Sequence, residues 1–160
     1  MNNERMRIYL NDHLAVLHGA RELARRCRDA NDGPLAKFLD ELGRDLGGEQ
    51  EVLKRLLDDI DGIENLLKQG VAWLAEKAGR LKLNDTILEY SPLSRLIELD
   101  TLSAEACSRA CFWQNLRAAF GEGPELAGID AERHIKLAQS HGRKLKAFQR
   151  AAALVALATG

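Results

Sequence analysis

The chain reads as an all-α protein, a bundle of four long helices. Ala, Leu, Arg, Glu, Asp and Lys dominate its 160 residues and only three prolines interrupt them, so strong helix formers prevail throughout. Apolar residues recur in alternating steps of three and four over runs of about 20–30 residues, the mark of helices with one buried stripe. No segment keeps the strict alternation of a half-buried strand, and no repeat of fixed period appears.

The first helix is predicted over Met6–Arg28, with the seam Leu10, His13, Leu17, Ala20, Ala24 and Cys27. Asp29-Ala-Asn-Asp-Gly33 is a turn, and Pro34 suits the first position of a helix, where its missing N–H costs nothing. The second helix runs to Asp61 with the seam Leu35, Leu39, Leu42, Leu46, Glu49, Leu53, Leu56 and Ile60, apolar at every position but Glu49. Gly47-Gly48 inside it costs about 1 kcal/mol per glycine relative to Ala, so a close neighbour or a bend is expected there. A shorter helix covers Glu64–Leu81, and Leu83–Tyr90 is extended. Ser91-Pro92 opens the next long helix, Ser as cap and Pro inside. It runs to about Phe120 with the seam Leu93, Ile97, Asp100, Ala104, Cys107, Cys111, Gln114 and Ala118, flanked by Leu96, Leu99, Ala106, Ala110 and Trp113. After the Gly/Pro-rich stretch 121–128, Asp130 caps a last helix reaching about Thr159. Its seam is His134, Ala138, His141, Leu145, Phe148, Ala152 and Val155.

Composition excludes several classes. Lys+Arg 23 against Asp+Glu 24 leaves a formal net charge of −1, which gives no general electrostatic case for nucleic acid or an anionic membrane. No apolar run approaches the length of a membrane span, and the polar Met1–Arg7 is followed by no signal-type apolar stretch. The three cysteines, Cys27, Cys107 and Cys111, form no CxxC pair and suit reduced thiols in the cytoplasm. Residues 1–160 are read as a single domain, since no linker is long or flexible enough to divide them.

Short turns make the first two long helices one antiparallel hairpin and the last two another. Between the hairpins the connection of about 30 residues carries its own helix, whose length of about 27 Å is enough to traverse the bundle. Two hairpins joined by one long crossover is the ferritin-like topology; the competing arrangement is an up-down bundle with the short helix capping one end. Three runs carry a resemblance as well: Tyr9-Leu-Asn-Asp-His13, Trp73-Leu-Ala-Glu-Lys-Ala-Gly-Arg-Leu-Lys-Leu-Asn84 and Tyr90-Ser-Pro-Leu-Ser-Arg-Leu-Ile-Glu-Leu99. In these the chain resembles a set of uncharacterised bacterial ferritin-like helical-bundle proteins. The resemblance covers nearly the whole chain and implies fold and a cytoplasmic setting, but no chemistry.

Polar residues inside the seams are the candidate functional groups, because burying them costs several kcal/mol unless they are paired. His13 lies about 18 residues before the first turn and Glu49 about 18 after it, so antiparallel packing sets them level. Cys107 and His141 stand in the same relation across the second turn. With a crossover, His13, Glu49, Cys107 and His141 fall in one mid-bundle layer, one from each long helix. Ferritin-like carboxylate proteins hold two irons there, with a Glu from two helices and Glu-x-x-His from the other two. This chain has Val52 where that His belongs and Ala138 where that Glu belongs, which argues against a di-iron centre.

Two readings of the layer follow. Glu49 is a buried acid partnered by imidazoles, in a non-enzymatic bundle without a cofactor. Alternatively, His13, Glu49, Cys107 and His141 hold one tetrahedral zinc or a similar divalent metal. The arginines ending the first helix, Arg21, Arg25, Arg26 and Arg28, favour its dipole without a ligand. Asp100 is expected to find Tyr9, Arg95 or a backbone amide. Finally, Ala151–Ala158 is apolar on every side, and a helix apolar all round is buried. This predicts a homodimer through the C-terminal helix, unless the 64–81 helix covers that flank within one chain.

Overall fold

A computed structural model describes residues 2–61, 90–121 and 123–158. These form four long helices and, among the described residues, no strand: α1 (Asn3–Asp29), α2 (Gly33–Asp61), α3 (Pro92–Phe120) and α4 (Ala131–Ala153). The expected short helix at 64–81 and the extended stretch after it lie outside the described residues.

Each helix starts where local chemistry satisfies its free amides. The Asn2 side chain accepts from the Arg5 amide at 3.1 Å, so α1 begins a few residues before its apolar seam does. At the other end, Asn31 donates to the Cys27 carbonyl at 2.6 Å, satisfying one of the last acceptors of the helix. Gly33 takes a φ of +63° between α1 and α2, a conformation that costs glycine nothing. Ser91 and Ser94 cap α3 reciprocally, with Pro92 in the first turn. Asp130 accepts from the Arg133 amide at 2.9 Å and opens α4. Beyond Ala153 the backbone widens into a π-type turn over Leu154–Ala158.

Side-chain contacts give the direction of every helix. Arg28 reaches Asp40 and Arg21 reaches Gln50, so α1 and α2 are antiparallel. Tyr9 meets Asn115 while Arg26 meets Glu98, so α1 and α3 are antiparallel. Arg117 pairs with Glu132 and Gln149 with Asp100, so α3 and α4 are antiparallel. It follows that α2 and α3 run parallel and start at the same end. Asp61 therefore closes α2 at the opposite end from Pro92, where α3 begins. The two-hairpin arrangement required this polarity; an up-down bundle would have made these helices antiparallel.

The helices share one apolar core, with Leu10, Leu39, Leu42, Leu46, Leu53, Leu99, Leu102 and Leu145 fully excluded from solvent. In α1, α2 and α4 the buried stripe largely follows the predicted seams. In α3 it does not. Leu93 and Ile97 are 50% and 55% exposed, and Asp100, Ala104, Cys107, Cys111, Gln114 and Ala118 also face solvent. The core face is Leu99, Leu102, Ala106, Arg109, Ala110, Trp113 and Leu116; it takes in Leu99, Ala106, Ala110 and Trp113 of the predicted flanking row and is displaced from the seam by one residue, or about 100° of rotation. The cause is chemical. Glu105 and Arg109 belong to the true core stripe, where Arg109 pairs with Glu49 of α2 and stands beside Glu105, so charge at those positions does not mean exposure.

The end where α3 starts is closed by a polar knot. The Tyr90 hydroxyl donates to Glu98 at 3.1 Å and accepts from Asn31 at 2.7 Å, and the buried Cys27 Sγ lies 3.6 Å away. Burial pushes the Cys27 thiol up to about 11. Asp100 finds none of the expected partners; it accepts from Gln149 at 2.6 Å on the surface.

Candidate functional site: a buried Arg109 cluster

Halfway along the bundle, three ionisable side chains from three helices converge on one guanidinium. Arg109 of α3 is 2% exposed. Its Nη1 donates to Glu49 Oε2 of α2 at 3.0 Å. Its Nη2 donates to His141 Nδ1 of α4 at 3.1 Å. Its Nε lies 3.0 Å from Glu105 Oε1, one turn back on α3. That third contact is an ion pair by distance only, for neither Nε nor either Glu105 oxygen has a hydrogen-bond partner among the described residues.

A second ring of groups holds the first. Trp113 Nε1–H donates to Glu49 Oε1 in a short contact, so both carboxylate oxygens are engaged. Asp45 Oδ2, one turn before Glu49 on α2, stands 3.0 Å from His141 Nε2. His134 stacks on Trp113 with ring centroids 4.3 Å apart and planes 14° from parallel. The i, i+4 spacings Asp45/Glu49 and Glu105/Arg109 put each pair on one helix face, and Trp113 continues the second row.

The partners dictate protonation. A guanidinium has only donors, so Nδ1 of His141 accepts and its proton sits on Nε2, facing the Asp45 carboxylate. Burial, and then the Arg109 charge, bring the His141 imidazolium down to about 4, against the pull of Asp45. Glu105 moves the other way. Burial pushes its carboxyl up to about 7, with Arg109 opposing and the Glu49 charge assisting. The lowest-cost state is thus one buried ion pair, Arg109 with Glu49, beside a neutral imidazole and a carboxyl that readily takes up a proton. A lone buried charge at this depth would cost several kcal/mol.

The four residues expected in one layer are divided. Glu49 and His141 come together, through Arg109 and without touching. His13 lies nearby but on another face: it is half-buried, its ring 4.2 Å from Phe112 and 4.8 Å from Tyr9. Burial lowers its pKa, with Asp12 opposing. Cys107 is exposed, as is Cys111, which corrects their placement in the seam of α3. The rotation that brings Arg109 inward turns Cys107, two residues earlier, outward. Among the described residues, no group of three or more His, Cys, Asp or Glu is close enough to hold a metal ion.

Arg109, Glu105, Asp45 and Trp113 carry the cluster; hydropathy points to Trp113, which stands in the predicted flanking row, but not to the three charged residues. The available signal was the pair of i, i+4 spacings, one of them followed at i+8 by Trp113 within an otherwise apolar stripe.

A groove of about 350 Å³ between α1 and α2 is lined by Arg21, Arg25, Arg28 and Arg44. Glu22, Asp29 and Asp40 take up Arg25, Arg28 and Arg44, and Gln50 takes Arg21. It is therefore an exposed ion-pair network, whose individual pairs are each worth up to about 1 kcal/mol.

Compared with family models, curated proteins and solved structures, the chain matches none.

Proposed function

We propose that this protein is a non-catalytic, cytoplasmic helical bundle of ferritin-like arrangement whose centre is closed by an internal ion pair, and which acts by associating with a second copy of itself. The observation that carries the first part is Arg109. Its guanidinium is surrounded by Glu49, Glu105 and His141, all at most 7% exposed. A cation whose three nitrogens each face a buried side chain offers a substrate no open position. The parallel course of α2 and α3 supports the ferritin-like arrangement. The two exposed thiols, Cys107 and Cys111, fit a reducing compartment.

Self-association is supported at the C-terminal end, where Leu154 and Leu157 are 67% and 71% exposed. Leu93 and Ile97 stand at the same end of the bundle, 50% and 55% exposed. Large apolar side chains gathered at one end of a molecule mark an interaction surface, and symmetric dimers are the commonest way to cover one.

Sedimentation equilibrium at tens of micromolar tests this, with Leu154→Glu as the comparison. A dimer dissociated by the substitution is expected; a monomeric wild type refutes the association. Elemental analysis of the purified wild type tests the closed centre. Less than 0.1 equivalent, on the order of background, of any transition metal per chain is expected, since a structural site would retain its ion. A stoichiometric metal would refute the closed centre.

A further inference from the structure

We propose that the Arg109 guanidinium is the resident cation of a metal-type ligand site, and that this one side chain keeps a divalent transition metal out of the middle of the bundle. The proposal rests on the closed-centre reading above and goes beyond it, because it assigns a ligand set and a reason for its closure.

Three observations point the same way. First, the groups around the cation are two carboxylates and an imidazole: Glu49 Oε2 at 3.0 Å, Glu105 Oε1 at 3.0 Å and His141 Nδ1 at 3.1 Å, one from each of three helices. This is a donor set that suits zinc, cobalt or manganese. Second, the donors have the outer partners that metal ligands have. The far nitrogen of His141 faces the Asp45 carboxylate at 3.0 Å, and the far oxygen of Glu49 accepts from Trp113. A carboxylate behind the imidazole and a donor behind the ligating acid orient ligands and tune their basicity. Third, Glu105 is 7% exposed, and neither of its oxygens is hydrogen-bonded among the described residues. A carboxylate buried 3.0 Å from a cation but without a well-directed hydrogen bond is costly for an ion pair built only for stability. It is an ordinary feature of a ligand held towards a cation. With the guanidinium lying between the three donors, no group of three or more His, Cys, Asp or Glu among the described residues is placed to hold a metal.

Shortening Arg109 removes the competing cation and frees its volume, leaving the three donors and room for a water. Arg109→Ala is therefore expected to take up one Co²⁺ per chain, with the visible absorption of a low-coordinate site, while the wild type takes up none. Adding His141→Ala to Arg109→Ala should abolish the spectrum. Adding Trp113→Phe instead should weaken binding about 10–100-fold, the usual effect of losing an outer partner.

A folded Arg109→Ala protein without a Co²⁺ spectrum would overturn the proposal. So would a spectrum that survives His141→Ala, because the ion would then sit elsewhere. If Arg109→Ala does not fold in metal-free buffer, circular dichroism with and without Co²⁺ decides: helix recovery supports the proposal and its absence overturns it. Failure here is distinct from failure of the closed-centre reading, which metal bound to the wild type would refute.

Discussion

Replacing Glu49 by Met should be among the most damaging single changes in the protein, and replacing Arg109 by Met as well should undo much of the damage. The two side chains are 2% exposed and joined at 3.0 Å. Removing the carboxylate alone strands the Arg109 cation, a loss of about 3–5 kcal/mol. It also leaves Trp113 Nε1–H without its acceptor, worth about 1–3 kcal/mol more. We expect about 5 kcal/mol in total for Glu49→Met, since the two losses share one dehydrated space. Arg109→Met alone should cost about 3 kcal/mol, because Glu49 keeps Trp113. Glu105, whose carboxyl stands at about 7, can take up a proton near neutrality. In the double variant two linear apolar chains replace two opposite charges, a change that is often near neutral. The tryptophan N–H and His141 Nδ1 remain unpaired, each at about 1 kcal/mol, and the loss should be about 2 kcal/mol. Urea unfolding followed by circular dichroism at pH 7 measures all three. With a slope of about 2 kcal/mol per molar, midpoints should fall by about 2.5, 1.5 and 1 M. Strict additivity, which puts the double variant at about 8 kcal/mol, would refute the claim that these charges are buried together.

Stability should depend on pH through two opposed groups. His141 has a folded pKa of about 4, below its ordinary 6.5, so its contribution is complete above 6.5 and is lost as pH falls to about 4, by about 3 kcal/mol. Glu105 has a folded pKa of about 7, above its ordinary 4.5, so its contribution is complete below 4.5 and is lost as pH rises through about 7, again by about 3 kcal/mol. Glu105→Gln should therefore gain on the wild type between pH 5 and about 7.5 in urea midpoints; parallel profiles would refute it. Gly48 is exposed, with open space where a Cβ would stand, and should yield about 1 kcal/mol of stability on replacement by Ala. Gly47→Ala should yield less, because its Cβ would lie 3.2 Å from Arg21 Cζ and disturb the Arg21–Gln50 bond. A thiol-exchange assay should titrate Cys107 and Cys111 in the native protein and Cys27 only after unfolding. Rapid native reaction at Cys27 would contradict its burial.

By itself the sequence determined the helices, their order and the turns that join them. Long three–four periodicity, few prolines, and caps such as Ser91 and Asp130 are local properties, and local chemistry decides where a helix starts and stops. It also determined the core faces of α1, α2 and α4, where apolar side chains carry the burial. A long connection between the hairpins favoured parallel α2 and α3, but an up-down bundle stayed open until the side-chain contacts fixed the polarity. In α3 the sequence placed Leu99, Ala106, Ala110 and Trp113 only on the flank of the buried face, and tertiary structure settled that they are its centre. A hydropathy pattern counts each charge as a vote for solvent, whereas Arg109 is buried because it pairs with Glu49 on another helix, and Glu105 is buried beside it with its carboxyl raised to about 7. That pairing turns Cys107 to the surface and brings Glu105 and Arg109 beside Trp113 in the core, and so decides which residues form the centre. Glu49 and His141 stood out in the sequence as polar interruptions of apolar seams. What joins them did not, since the cost of burying a charge depends on partners that lie 32 and 60 residues away along the chain.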